Sequence, residues 1–406
     1  MLSRKRNLLG ITTIVALAAC SDLPTPTAAP TAPELSASGT GAAMKALHAR
    51  VCPGAAVGAA RCHSWVTVDA SGTPLATSGP SGYGPADLQS AYALAAASAA
   101  NGAGATIAIV DAYDDPKAEA DLGVYRSQYG LPACTTANGC FKKINQSGGT
   151  KPPRANGSWA QEISLDLDMA SAICPNCKIL LVEASTNSFA NLAAAVDQAA
   201  KTPGVVAISN SYGGSEYATE VTDQAHYNHP GIAITVSSGD NGYGVEFPAA
   251  SQYVTAVGGT NLVRSSTGRG WTETVWNGAG SGCSAYITKP SWQTDAGCAR
   301  RTVADVSAVA DPNTGVAVYD SYAYNGASGW MVFGGTSVAA PIIASVYALA
   351  GNTASINYGS FSYSHTTSLF DVTSGSNGTC GSYLCTGGAG FDGPTGNGTP
   401  NGIGAF

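Results

Sequence analysis

From Gly104 onward the chain alternates short apolar runs with segments of helical period. Ala105–Asp111 is a β-branched apolar run that ends in an acid, and Asp115–Tyr129 carries an apolar stripe at helical spacing. Trp159–Cys174 predicts a second helix and Lys178–Val182 a strand. The alternation continues through helix Ser188–Lys201, strand Val205–Ser209, helix Thr219–Tyr227 and strand Ile232–Ser237. Gln252–Gly258 reads as a further strand, and Thr336–Ala350 as a long apolar helix. Apolar strands alternating with helices predict an α/β fold, a doubly wound, mostly parallel sheet with helices on both faces. Residues 83–406 are expected to form this one large domain, with insertions.

The first 82 residues break the pattern. Arg4, Lys5 and Arg6 precede an apolar run, Leu8–Ala19, that is too short to span a bilayer and reads as the core of an export signal. The run ends Leu17-Ala18-Ala19-Cys20, which resembles a bacterial lipobox, where the cysteine is acylated and becomes the new N-terminus. Ser21 after the cysteine leans toward the outer membrane. Residues 1–20 are therefore expected to be a lipoprotein signal, and 21–44, rich in Pro, Ala and Thr, a tether. The expectation is an exported protein at the outer membrane or cell surface, held there only by its lipid, or released. Residues 45–82 hold one cysteine pair and a strand-like run, Ser64–Asp69, and are too few for an independent core. They read as a separate short piece.

Composition narrows the function classes. Charged residues make up 11% of the chain, against about 25% in average proteins. The net charge of −7, from 19 basic and 26 acidic residues, is no footprint for a nucleic-acid partner. The cysteine count is 11, an odd number. With Cys20 set aside, the rest fall in near neighbours: Cys52 and Cys62, Cys134 and Cys140, Cys174 and Cys177, Cys283 and Cys298, Cys380 and Cys385. In an oxidising compartment that proximity predicts five local disulfides. Cys174 and Cys177 have redox-motif spacing but follow a helix and precede a strand, which favours a structural bridge.

Three segments carry chemistry. Gly334, Gly335 and Thr336 lead into Ser337 at the start of an apolar helix. Glycines allow a tight turn, and a helix N-terminus favours negative charge developing nearby, which suits a nucleophilic serine. The segment looks like the nucleophile segment of subtilisin-like peptidases. None of the five histidines (His48, His63, His226, His229, His365) lies in a segment suited to the base. On the helix Trp159–Cys174, at 100° per residue, Glu162 and Asp166 fall within the apolar face. Gln161, Ser164, Asp168 and Ser171 form the polar face. Two carboxylates one turn apart on a buried stripe repel if both ionise, so one holds a proton between them, an arrangement for acid–base work. Ser238, Gly239 and Asp240 follow the strand Ile232–Ser237, at the edge where open parallel sheets bind ligands. Asp240 donates to an oxyanion only when protonated.

Together these residues resemble the sedolisin family of serine-carboxyl peptidases, which has the subtilisin-like fold; the match is Glu162 to Asp166, Ser238 to Asp240, and Gly335 to Ser337 with Pro341. The resemblance implies Ser337 as nucleophile, Glu162 as its base, Asp166 sharing that proton, and protonated Asp240 on the oxyanion. It implies an endopeptidase acting on proteins or peptides at acidic pH, as a monomer. It also implies one structural Ca²⁺, held by the side chains of Asp371 and Asp392 with the carbonyls of Val372, Gly388 and Gly390; an all-oxygen shell suits Ca²⁺. Sedolisins usually carry a large N-terminal prodomain, so residues 45–82 would be a propeptide remnant. Asp111, Asp114 and Asp115 are left without a role. Two competing readings keep the fold. One is a catalytically silent, lipid-anchored module that binds peptides or glycans; the other is a histidine-based enzyme with a cryptic base.

Overall fold

The computed structural model describes residues 35–36 and 46–406. Cys20 and the signal run lie outside the described residues, as does most of the tether. The central sheet has eight strands. Its order is Trp271–Val275, Thr255–Arg264, Ala233–Ser237, Val205–Asn210, Thr106–Ala112, Lys178–Ala184 and Phe141–Asn145, with Val306–Val309 also paired to Thr255–Arg264. Every pairing is parallel except that of Trp271–Val275. Ala233–Ser237 is buried at every position, as a strand covered on both faces must be. The doubly wound α/β expectation therefore holds; most bounds read from the sequence differ by a few residues, but the expected helix Thr219–Tyr227 is one α turn, Glu220–Asp223, followed by a 3-10 turn, and the strand expected at Gln252–Gly258 runs from Thr255 to Arg264.

Thr106–Ala112 has Lys178–Ala184 on one side and Val205–Asn210 on the other. The chain order reverses here, and the crevice at the carboxyl ends of such strands is where doubly wound sheets bind ligands. Asp111 ends one strand, Ser211 follows another, and Ser237 to Asp240 leave a third.

Two helices pack against each other beside this crevice: Gly157–Ile173 and Thr336–Ala350. The first begins where the Asn156 side chain accepts the backbone N–H groups of Ser158 and Trp159, satisfying donors a helix start leaves free. Every residue from Ser158 to Ile173 is buried. The polar face read from the periodicity is therefore not solvated. Asp168 accepts the Tyr319 N–H at 3.0 Å, Ser171 accepts from Arg126 at 2.8 Å, and Ser164 donates to Asp115 at 3.4 Å. Helical period reports polarity, and here buried partners rather than water answer it.

A second sheet is antiparallel and joins Leu35–Ser36, Leu47–Arg50, Trp65–Val68, Ala327–Gly334 and Val316–Tyr324 in that order. Its hairpin Val316–Tyr324 with Ala327–Gly334 was silent in the pattern, because Asp320, Ser321 and Gly329 interrupt the alternation. Residues 45–82 are not a separate piece. Trp65–Val68 pairs with Ala327–Gly334, Arg61–Cys62 pairs with Tyr212–Ser215, and Val51, Cys62, Val66 and Val68 belong to the main hydrophobic core. The segment borrows the domain's core, as its length requires. All five expected disulfides are present.

Candidate active site

Ser337 opens the helix Thr336–Ala350 from a turn that only glycine tolerates. Gly335 has φ +99°, and a Cβ there would lie 2.1 Å from the His63 carbonyl oxygen and 2.7 Å from Asp240 Oδ2. Ser337 is fully buried, and its Oγ donates to the Ser211 carbonyl at 3.2 Å. Its backbone N–H donates to the His63 carbonyl at 3.0 Å.

Asp240 stands on the same side. Its Oδ1 accepts the Thr336 N–H at 2.9 Å and the Thr336 hydroxyl at 2.7 Å, whereas the buried Oδ2 has no hydrogen-bond partner. Burial raises the Asp240 pKa, against the charges of His63 and Arg50 and the Thr336 bonds, which lower it. A carboxyl in this state keeps its proton to higher pH than usual.

Glu162 and Asp166 face the crevice from the neighbouring helix, both fully buried. Burial drives the Glu162 pKa well up, Asp111 adds to this, and the hydroxyls of Ser337 and Ser64 oppose it. For Asp166, burial again leads, Asp111 and Glu162 add to it, and Ser211 opposes it. Those hydroxyls stand close enough to favour the charged forms, yet neither carboxyl makes a hydrogen bond of normal geometry. Asp111 joins them from the end of Thr106–Ala112, and burial lifts its carboxyl to about 8. Three carboxyls in one dry cluster cannot all ionise, so protons are shared among them. Asp111 had no role in the sequence reading. An acid closing a central strand next to two further aspartates looks like a turn, and only the register of the sheet brings it to Glu162 and Asp166.

His63 is the second residue that sequence reasoning missed. It is fully buried at the site, but its ring does not meet the Ser337 hydroxyl. Nδ1 pairs with Ser237 Oγ at 2.7 Å and Nε2 with Glu246 Oε2 at 2.8 Å. No histidine among the described residues hydrogen-bonds Ser337 Oγ, and the carboxyl of Glu162 stands near that hydroxyl.

Of the residues expected to hold Ca²⁺, Asp371 and Asp392 each accept a backbone N–H from the loop 388–390. Asp371 Oδ2 accepts the Gly390 N–H at 2.9 Å, and Asp392 Oδ2 accepts the Gly388 N–H at 3.1 Å. Asp392 is buried, and Val372 lies beside Asp371 in the chain. Burial leads in pushing the Asp392 carboxyl up to about 7, and the Asp371 charge adds to it against the Thr395 and Gly388 bonds. Two carboxylates converging on one glycine loop are a donor set that a hard cation fits. A different trio, Asp115, Asp121 and Asp320, brings one oxygen each within 4.8 Å of the others.

The Subtilase family profile matches residues 146–365. Kumamolisin from Bacillus sp. (strain MN-32) is 31% identical over 367 residues, which is 80% of this chain and 63% of that protein. Sedolisin from Pseudomonas sp. (strain 101) is 29% identical over 373 residues, 80% of this chain and 61% of that protein. The chain thus spans about three fifths of the length of these relatives. A solved structure of Pseudomonas sedolisin, a serine-carboxyl proteinase complexed with two molecules of pseudo-iodotyrostatin, superposes with a TM-score of 0.66 at 27% identity. That match covers 79% of this chain and 96% of the other. The chain belongs to the subtilase family, and within it to the sedolisin group of serine-carboxyl peptidases.

Proposed function

We propose that the protein is a serine-carboxyl endopeptidase that cleaves peptide bonds in proteins at acidic pH. The observation that carries this reading is a buried Ser337 whose neighbouring base is a cluster of carboxyls, with the nearby imidazole engaged elsewhere. Ser337 Oγ attacks the substrate carbonyl carbon while Glu162 takes its proton. Asp166 shares that proton, and Asp111 behind them keeps the cluster from carrying full charge. The Ser337 N–H and the protonated Asp240 donate to the oxygen as it becomes an oxyanion. Glu162 then returns the proton to the leaving amine, and water resolves the acyl-enzyme by the same route.

The acid range follows from Asp240 and the cluster. As pH rises Asp240 loses its proton, and an oxyanion donor becomes an anion beside an anion. Digestion of a denatured protein at pH 3 to 5, read by mass spectrometry, tests the reading. Cleavage that Ser337→Ala abolishes supports it, and cleavage that survives the substitution contradicts it.

A structural Ca²⁺ belongs to the same proposal. The Asp371 and Asp392 side chains, with the carbonyls of Val372, Gly388 and Gly390, would hold it and pin the C-terminal loop. The expected context is an exported monomer, attached at Cys20 by lipid or released, with protein or peptide substrates and no nucleic-acid partner.

A further inference from the structure

Ser164 and Asp168 lie on the face of the helix Gly157–Ile173 opposite Glu162 and Asp166, and both are near a second group of buried acids. Three segments supply it. Asp115 lies just past the strand Thr106–Ala112, Asp121 is in the helix Ala118–Gln128, and Asp320 is in the strand Val316–Tyr324. Their exposures are 0, 2 and 0%, so water does not screen them from one another. Each brings one carboxylate oxygen within 4.8 Å of the other two.

The hydrogen bonds around the trio are incomplete. Asp121 accepts the Ser321 N–H and the Ser321 hydroxyl, both at 2.7 Å. Asp115 Oδ1 accepts the Lys117 N–H at 2.7 Å, and its Oδ2 accepts the Ser164 hydroxyl at 3.4 Å. Asp320 Oδ1 accepts the Tyr322 N–H at 2.8 Å, but its Oδ2 is buried with no hydrogen-bond partner. An unpaired carboxylate oxygen in a dry site is costly, and the other two acids offer it no donor when ionised.

Cationic side chains do not close the group either. Lys143 is taken by Asp114, by Glu183 and by the backbone carbonyl of Asp115. Arg126 donates to Ser171 and to the carbonyls of Pro132 and Pro175. Among the described residues no lysine or arginine is ion-paired with Asp115, Asp121 or Asp320. Burial leads in raising all three carboxyls, to about 7 for Asp115 and about 8 for Asp320. The charge of Asp121 adds to both, and that of Asp115 adds to Asp320.

The donor set is all oxygen, which suits a hard cation and not zinc or copper. The limit of 4.8 Å is twice the ~2.4 Å bond of Ca²⁺ to oxygen, so one ion can touch all three carboxylates. We propose that Asp115, Asp121 and Asp320, with the Ser164 hydroxyl, form a divalent-cation site of the Ca²⁺ class, separate from the one proposed at Asp371 and Asp392. The ion ties three segments together behind the helix that carries Glu162. Protons compete with it for the same oxygens. The other charged groups around the trio are Asp114, Asp168 and Glu183, with Lys117, Lys143 and Arg126. At acidic pH the trio keeps its protons and takes no ion, so its response to a chelator emerges only toward pH 8.

The test is equilibrium dialysis of the full chain against radiolabelled Ca²⁺ at pH 8, with unfolding midpoints in Ca²⁺ and in chelator. Asp320→Asn keeps the acceptor for Tyr322 and removes the charge. Wild type should bind one ion per chain more than Asp320→Asn. The Asp371→Ala chain should still bind one ion, and Asp371→Ala combined with Asp320→Asn none. In chelator Asp320→Asn should unfold at or above the wild-type midpoint. Ca²⁺ at 100 times its Kd should then raise wild type by about 3 °C or more relative to Asp320→Asn. If Asp320→Asn does not fold, Asp121→Asn takes its place with the same expectations. A folded Asn variant that binds as many ions as wild type, or gains as much from Ca²⁺, overturns the proposal, and so does an Asp371→Ala chain that binds none. No readout uses catalysis, so the peptidase reading is tested apart from this one.

Discussion

In the proposed mechanism Asp240 acts only while it holds a proton. Its Oδ1 already accepts two bonds from Thr336, so Oδ2 is the oxygen left to act as donor. An amide in its place keeps the acceptor and donates at any pH. Asp240→Asn is therefore expected to retain most activity and to lose part of the decline on the alkaline side. Asp240→Ala should cost about 10²- to 10³-fold in kcat, the usual scale for losing one oxyanion donor. A pH series of kcat for the two variants checks this, and an Asn variant as impaired as the Ala variant would contradict it. Glu162→Gln removes the proposed base and should lower kcat about 10⁴-fold, near the loss from Ser337→Ala, because residues acting as a unit fail together. That Ser337, Glu162 and Asp240 gather at one crevice was legible in the sequence because each sits in a short local motif. His63 was not, since its partner Ser237 is 174 residues away and only the threading of the N-terminal hairpin brings them together.

At the scale of elements, the helix Gly157–Ile173 shows what periodicity does and does not carry. It put Glu162 and Asp166 on the apolar face correctly, and it gave no sign that the opposite face is buried too. The reason is that Asp168 and Ser171 are answered by Tyr319 and Arg126, which come from other elements. Burial of acids has a consequence for stability. Asp111 and Asp320 are lifted to about 8 and Asp115 to about 7, in each case mainly by burial, against about 3.9 in an unfolded chain. Between those values the folded state binds more protons, so stability falls as pH rises from about 4 to about 8. Glu246 has the opposite sign: its stabilisation is present above about 4.3 and is lost as pH falls toward 2. Stability should therefore peak near pH 4, and the unfolding midpoint should be about 5 °C or more lower at pH 8. A midpoint that is flat or rises from pH 4 to 8 would count against the buried, protonated acids.

For the whole molecule, the α/β architecture was legible because each strand and helix has its own period. The closing of the site by residues 47–68 was not, because a short segment that pairs into someone else's sheet has no period of its own. The C-terminal loop makes a separate claim. If Asp371 and Asp392 hold Ca²⁺, a chelator should destabilise the fold by about 2.7 kcal/mol when the ion was present at 100 times its Kd. Asp371→Ala should lower the unfolding midpoint similarly and make it insensitive to the chelator. Wild-type midpoints identical with and without chelator would remove calcium from the account.

The central claim is that Ser337 is served by carboxyls rather than by an imidazole, and the pH dependence of peptide-bond cleavage bears on it most directly. The measurement is the initial rate of cleavage of one denatured protein by the full chain from pH 2 to pH 9. The account predicts a maximum in the acid range and a decline as pH rises and the carboxyl cluster and Asp240 lose their protons. A maximum at neutral or alkaline pH would contradict it.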